Sequence, residues 1–186
     1  NLAYSFQSNG SEIIAHPIMN PSIGIESSNG SLGHGLSYGV GISHGLKIKG
    51  IDSKVIVLVG DGECNEGSIW ESALAAPNLG LDNLFVILDK NNLQQTGSTD
   101  DIMKTDNLKE KWLSFKWNVT DINGHNIKDL LNFFSNKPKN GKPNLLIANT
   151  VKGKGFSFSE NNNDWHHSVL TKSLYETALK ELKLIK

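Results

Sequence analysis

With 186 residues, 38% hydrophobic and 20% charged, and a formal net charge of −1 at pH 7, the chain has the composition of one globular domain around a single core. Its near-neutral balance does not suit a polyanion-binding surface, so nucleic acid is not an expected partner. All 18 residues in the Lys+Arg count are Lys, which excludes bidentate guanidinium clamping of phosphate or carboxylate from within this polypeptide. Phosphate, if handled here, must be held by backbone amides, Lys, His or a metal.

The single Cys64 leaves no intramolecular disulfide and agrees with a reducing compartment. No apolar run approaches the roughly 18 residues that span a bilayer, so no membrane role is expected. The start, Asn1-Leu2-Ala3-Tyr4, lacks an initiator Met and the pattern of a signal peptide, so the chain reads as cytoplasmic, and as processed or part of a longer one.

In chain order, the first thirty residues carry the breakers Pro17, Pro21 and Gly24 without periodicity, and predict an irregular arm with short elements. Residues 31–46 place Gly33, Gly35, Gly39, Gly41 and Gly45 among apolar residues, which predicts a helix packed closely against another backbone or a ligand. The β-branched run at 54–59 predicts a strand buried on both faces. A helix over 68–79 and a second buried strand over 84–88 complete a βαβ unit. Leu108, Trp112 and Phe115 mark one helical stripe, and Ile127, Leu130, Leu131 and Phe134 another. Residues 117–122 and 144–148 are strand candidates, 136–143 a surface loop, and Leu174, Ala178, Leu182 and Ile185 a C-terminal amphipathic helix. Such alternation predicts an α/β fold with a sheet covered on both faces.

Ligands of an open parallel sheet collect at the carboxyl ends of its strands. The first strand runs into Gly60-Asp61-Gly62 and the second into Asp89-Lys90-Asn91-Asn92, so a βαβ unit brings Asp61 and Asn91 to one edge although 30 positions separate them. A carboxylate and an amide carbonyl are hard oxygen donors of the kind Mg²⁺ accepts, with phosphate oxygens and water completing the shell. Gly60 and Gly62 permit close backbone approach, and the following helix aims its N-terminus at an anion. Each piece alone is ordinary turn chemistry; joined by a buried strand–helix–strand, they point to a metal-bridged diphosphate.

Gly60-Asp61-Gly62 followed by Asn91 resembles the thiamine-diphosphate (ThDP) fingerprint. The stretches GDGECNEGSIWE, LDKNNLQQTG, GSLGHGLS and VKGKGFSFSENNNDWHH resemble the amino-terminal half of transketolase, in particular the separate N-terminal subunit of split bacterial transketolases. The resemblance implies one diphosphate-binding domain over residues 1–186, with a three-layer ThDP-binding α/β fold and a mostly parallel sheet. It implies Asp61, Asn91 and the Leu93 carbonyl as ligands of Mg²⁺ or Ca²⁺, and the Gly62 amide on the diphosphate. Gly30 and Leu32 match positions lining the cofactor rings, and Glu66 the glutamate near the subunit boundary that links paired sites. His16 matches a histidine near the reacting two-carbon unit, and His167 or His166 the one approaching the diphosphate.

The implied activity is transfer of a two-carbon ketol unit between sugar phosphates. It needs a C-terminal, pyrimidine-binding partner subunit in a two-plus-two heterotetramer. Alternatives are a deoxyxylulose-phosphate-synthase-like ThDP enzyme and a non-catalytic scaffold. Two departures from the family are Lys90, where tyrosine or aspartate is commoner, and Ser168, in place of a glycine. The family's earliest active-site histidines also have no counterpart before Ser11, which predicts a truncated or shortened relative. The residues carry ordinary readings too. A histidine before proline suits a turn, Lys152 and Lys154 suit a solvated face, an adjacent His pair could bind zinc, Cys64 suits packing, and Trp112, Phe115 and Trp117 suit the core.

Overall fold

The computed structural model describes residues 2–135, 138 and 140–183. Ile185 of the expected C-terminal stripe, residues 136, 137 and 139 of the expected loop, and the ends of the 1–186 domain lie outside the described residues. Strands β1 (Val55–Gly60) and β2 (Leu84–Lys90) are joined by α2 (Gly67–Asn78), which follows α1 (His34–Ile48) in space as in sequence. After β2 come a two-residue hairpin, β3 (Leu93–Gln94) and β4 (Gly97–Ser98), and the helices α3 (Thr99–Ile102) and α4 (Leu108–Ser114). Strand β5 (Asn118–Asn123), α5 (Ile127–Ser135), β6 (Asn144–Asn149) and α6 (Lys172–Glu181) complete the order. The four longer strands form one parallel sheet in the order β1-β2-β6-β5, and the described residues of the arm before α1 include two 3-10 turns and the isolated bridge of Asn20 with Ile25.

Continuous apolar runs place β2 and β6 at the centre, where a strand meets packed side chains on both faces. Leu84, Phe85, Val86, Leu88, Leu145 and Leu146 have no exposed surface. One face carries α1, α2 and α4 over Val57, Val59, Val86 and Leu88, with Ile69, Ala73 and Trp112 fully buried between them. The Trp117 indole N–H donates to the Ala73 carbonyl at 2.8 Å, and that of Trp70 to the Cys64 carbonyl at 2.8 Å. Trp70, Trp112 and Trp117 pack in series, the first pair tilted and the second edge-on, with ring centroids 5.7 and 4.8 Å apart. These aromatics are core, as expected of Trp112 and Trp117, and Cys64 is packed at 1% exposure.

On the opposite face α5 sets Phe133 edge-on against Phe85, beside Leu146. Strand β1 departs from the expected burial on both faces, because Ile56 is 55% and Leu58 68% exposed. The reason is position: β1 is an edge of the sheet, and α5 packs over β2 and β6 instead. The glycine-rich helix is also more selective than its spacing suggests. A Cβ on Gly39 would lie 2.4 Å from Val57, so there the helix truly meets the sheet, but Gly41 and Gly45 face open space.

Candidate cofactor and metal site

The register aligns Gly60 with Asp89, so β1 and β2 end together and release their loops at one edge. Asp61 begins the turn there as the N-cap of the 3-10 segment Gly62–Asn65 and is 2% exposed. Its Oδ1 accepts the Gly62 N–H at 2.8 Å, and its Oδ2 accepts the Asn92 N–H at 2.6 Å. The second bond requires Asn92 to turn back at φ 60°, a left-handed conformation that Asn tolerates better than most residues. Asn91, half-buried, accepts the Leu93 N–H on Oδ1 at 3.0 Å. Asp61, after β1, and Asn91, after β2, thus lie at one edge of the sheet, as expected, with Leu93 next to Asn92 in the second loop. The Gly62 amide is engaged by Asp61, and a Cβ on Gly62 would meet Gln94 at 2.8 Å.

Burial pushes the Asp61 carboxyl above the usual carboxylate range; the amides of Asn92 and Gly62 pull it back, and the charge of Asp89 raises it again. A buried carboxylate whose charged neighbour is another carboxylate is a site that a cation would relieve. Among the described residues no three His, Cys, Asp or Glu side chains converge. One carboxylate, one amide oxygen and one backbone carbonyl instead fit Mg²⁺, which keeps most of its shell for phosphate and water.

The second wall is the loop entering α1. Gly33 stands at φ 80°, with its N–H donated to Glu63 Oε1 at 2.8 Å and its carbonyl accepting the Ser68 hydroxyl at 3.0 Å. Glu63 Oε2 also accepts the Gly60 N–H at 3.1 Å, so one carboxylate ties this loop to the turn at Asp61. Neither Glu63 nor Ser68 was anticipated from sequence. The signal for Glu63 is its place three residues after Gly60, the reach by which a capping-box side chain turns back to a backbone N–H. Gly30, at φ 129°, lies directly under the His16 ring, where a Cβ would be 2.4 Å from His16 Cδ2. His16, Gly30, Leu32 and Glu66 are all exposed, and Glu66 lies against Gly33.

The third wall is the segment after β6. A 3-10 turn, Asn163–His166, lies beside β3, and Asn163 donates its amide to the Gln95 carbonyl at 3.1 Å. His166 Nδ1 is 3.2 Å from Lys152 Nζ, and both His166 and His167 are exposed. Burial, then the charges of Lys152 and His167, hold the His166 imidazole below its usual value. Lys154 pairs with Glu160 at 3.2 Å. Backbone donation from Gly155 and the Lys154 ammonium hold the Glu160 carboxyl low.

Residues 3–183 match the family model described as "Transketolase, thiamine diphosphate binding domain". The chain is 44% identical over 179 residues to one of the separately named subunits of the apulose-4-phosphate transketolase of Actinobacillus succinogenes, covering 96% of this chain and 65% of that protein. It is 36% identical over 175 residues to the 6-deoxy-6-sulfo-D-fructose transketolase subunit SqwG of a Clostridium species, covering 94% of this chain and 64% of that one. It therefore spans a little under two thirds of the length of these relatives. Its fold superposes on transketolase from Campylobacter jejuni with a TM-score of 0.90 at 28% identity, over 98% of this chain and 30% of that structure. A parallel sheet whose adjacent strands deliver Asp61 and Asn91 to one edge, together with a family match over nearly its whole length, shows that this chain belongs to the transketolase family as a thiamine-diphosphate-binding domain.

Proposed function

We propose that this chain is the diphosphate- and Mg²⁺-binding component of a split transketolase, transferring a two-carbon ketol unit between sugar substrates together with a pyrimidine-binding partner subunit. The observation that carries this reading is the turn at Asp61: a buried carboxylate held by backbone amides, whose charged neighbour is another carboxylate, beside the Asn91 amide and the Leu93 backbone. The names of the relatives, each that of one component of a transketolase, support the division into two chains, and a two-plus-two assembly in the cytoplasm is part of the proposal.

Bound ThDP would supply a carbanion that adds to a ketose carbonyl and then holds the electron pair. The contribution of this chain is position and electrostatics. Asp61, Asn91 and the Leu93 carbonyl would hold the cation, and the Gly62 amide, now on Asp61, would be shared with the diphosphate. His166 or His167 would approach the same phosphates from the third wall. Gly30 and Leu32 would face the cofactor rings, with His16 over Gly30 near the reacting carbons and Glu66 on the exposed side toward the partner. The relatives' names contain a phosphate and a sulfo sugar. With no arginine in this sequence, any bidentate guanidinium contact to such an anionic group is assigned to the partner.

The test combines the full-length chain with a pyrimidine-binding partner subunit, ThDP and Mg²⁺. Ketol transfer is expected from the mixture and from neither component by itself. A verified complex that binds no ThDP would overturn the reading.

A further inference from the structure

We infer that Asp89 is a positioning residue of the cation site: it fixes which end of the Asn91 side-chain amide faces the cation, and Thr150, from the end of β6, holds it in place. This rests on Asn91 being a ligand, as proposed above. An asparagine amide has one end that accepts and one that donates, and a hard cation can use only the oxygen. In this turn the choice is made by two complementary contacts. Asn91 Nδ2 donates to Asp89 Oδ2 at 3.2 Å, while Asn91 Oδ1 accepts the Leu93 N–H at 3.0 Å. Rotating the amide by half a turn would set its oxygen against the Asp89 carboxylate and its NH₂ against the Leu93 N–H. Both contacts would then be repulsive, so the oxygen stays on the side of the Asn91–Leu93 backbone, whose Asn92 N–H is held by Asp61.

Asp89 can make this selection only if it is itself held. Its second oxygen, Oδ1, accepts the hydroxyl of Thr150. Thr150 is anchored in turn, its N–H donating to the Lys90 carbonyl at 3.0 Å. The next residue, Val151, donates its N–H to His125 Nε2 at 2.8 Å, and Gly124 donates to the Asn149 carbonyl at 2.8 Å. The ends of β2 and β6 therefore meet at one carboxylate, neither of whose contacts is the cation, and the end of β5 braces the residues on either side of Thr150. Residues behind a metal ligand commonly control affinity by fixing ligand orientation, and losing one typically weakens binding by about 10- to 100-fold.

The experiment titrates Mn²⁺, as a spectroscopic stand-in for Mg²⁺, into the full-length chain assembled with its partner and saturated with ThDP, reading free Mn²⁺ by electron paramagnetic resonance. Asp89→Ala is expected to weaken Mn²⁺ binding by about 10- to 100-fold. Asp89→Asn, whose carbonyl can still receive the Asn91 amide, should recover most of that loss. Thr150→Val should weaken binding by less than Asp89→Ala, and Thr150→Ser should restore it, a pair that serves also if Asp89→Ala does not fold. The inference is overturned if Asp89→Ala binds like the parent, if Asp89→Asn is as damaging as alanine (a direct ligand), or if Thr150→Val is silent. Asn91→Ala separates the two readings. If it leaves Mn²⁺ affinity intact, the underlying site assignment fails; if it removes binding while Asp89→Ala does not, only the positioning role fails.

Discussion

At the end of β1, Asp61 is almost completely buried and each of its carboxylate oxygens accepts a backbone N–H. A short distance away, on the loop entering α1, Leu32 is 60% exposed and His16 rests on Gly30 with its ring open to solvent. The turn is held within the end of the sheet, whereas the glycine wall is tied to it through Gly33 and otherwise to the arm, where Asn29 donates to the Pro17 carbonyl and Ser28 accepts the Met19 N–H. A buried turn with its N–H groups paired can hold a geometry before any ligand arrives. An exposed wall presents apolar surface that gains its contacts only when something else is laid on it. The difference separates what this polypeptide can do by itself from what it can only contribute.

The largest expected effect comes from breaking the buried side. Asp61→Ala should weaken cation-dependent ThDP binding by more than about 100-fold, roughly 2.7 kcal/mol, measured by calorimetry on the assembled complex. Gly33→Ala attacks the tether: the residue stands at φ 80°, and its Cβ would fall 2.4 Å from Ser68 Oγ and 2.7 Å from Glu66 Cβ. A loss of about 2 kcal/mol in denaturant unfolding is expected. Glu63→Ala should cost about 1 kcal/mol or somewhat more, since it leaves the N–H groups of Gly33 and Gly60 without their carboxylate. Faster amide exchange at Gly33 would localise that effect. Leu32→Ala, on the exposed wall, should change stability by less than about 0.5 kcal/mol while lowering activity of the assembled enzyme. A large shift in its unfolding midpoint would erase the contrast between the two regions.

Cys64 provides a pH test of the buried side. Burial, with the charges of Glu63 and Asp61, pushes its thiol up to about 12, from a reference value of 9.0. Below pH 9 the thiol is protonated in both the folded and unfolded chain and does not affect stability. Between about pH 9 and 12 only the unfolded chain releases the proton, so stability falls as pH rises through that window. Native protein should accordingly resist thiol labelling at pH 8 and react fully once unfolded. Rapid labelling of the folded chain would show that the turn opens.

The part of the site visible in sequence was the part built from short motifs at strand ends. Asp61 and Asn91 could be placed together because buried runs such as 84–88 are unambiguous and parallel strands deliver their loops to one edge. The hairpin Leu93–Gln94 and Gly97–Ser98 was not legible, since two-residue strands carry no period. Glu63 and Ser68 escaped because their partners are backbone groups of Gly33, 30 and 35 positions away, and a backbone group leaves no mark in the sequence. The apolar run of β1 identified a strand but not what lies over it; hydrophobicity states what a residue would prefer to touch, and Ile56 and Leu58 remain exposed. The glycines of α1 were over-read for the same reason: of the four, Gly39 presses on β1, Gly35 would only touch it, and Gly41 and Gly45 face open space.

The hydrogen bond from Trp70 to the Cys64 carbonyl has an optical consequence. Cys64 belongs to the 3-10 segment that Asp61 caps, so this indole is fastened to the turn proposed to hold the cation. Its ring also lies 5.8 Å from the Lys111 ammonium. Indole emission responds to hydrogen bonding and to nearby charge, which makes the fold its own dye. A shift in intrinsic fluorescence on adding Mg²⁺ and ThDP, lost in Trp70→Phe, would report loading of the site without a substrate, a label or a coupled assay.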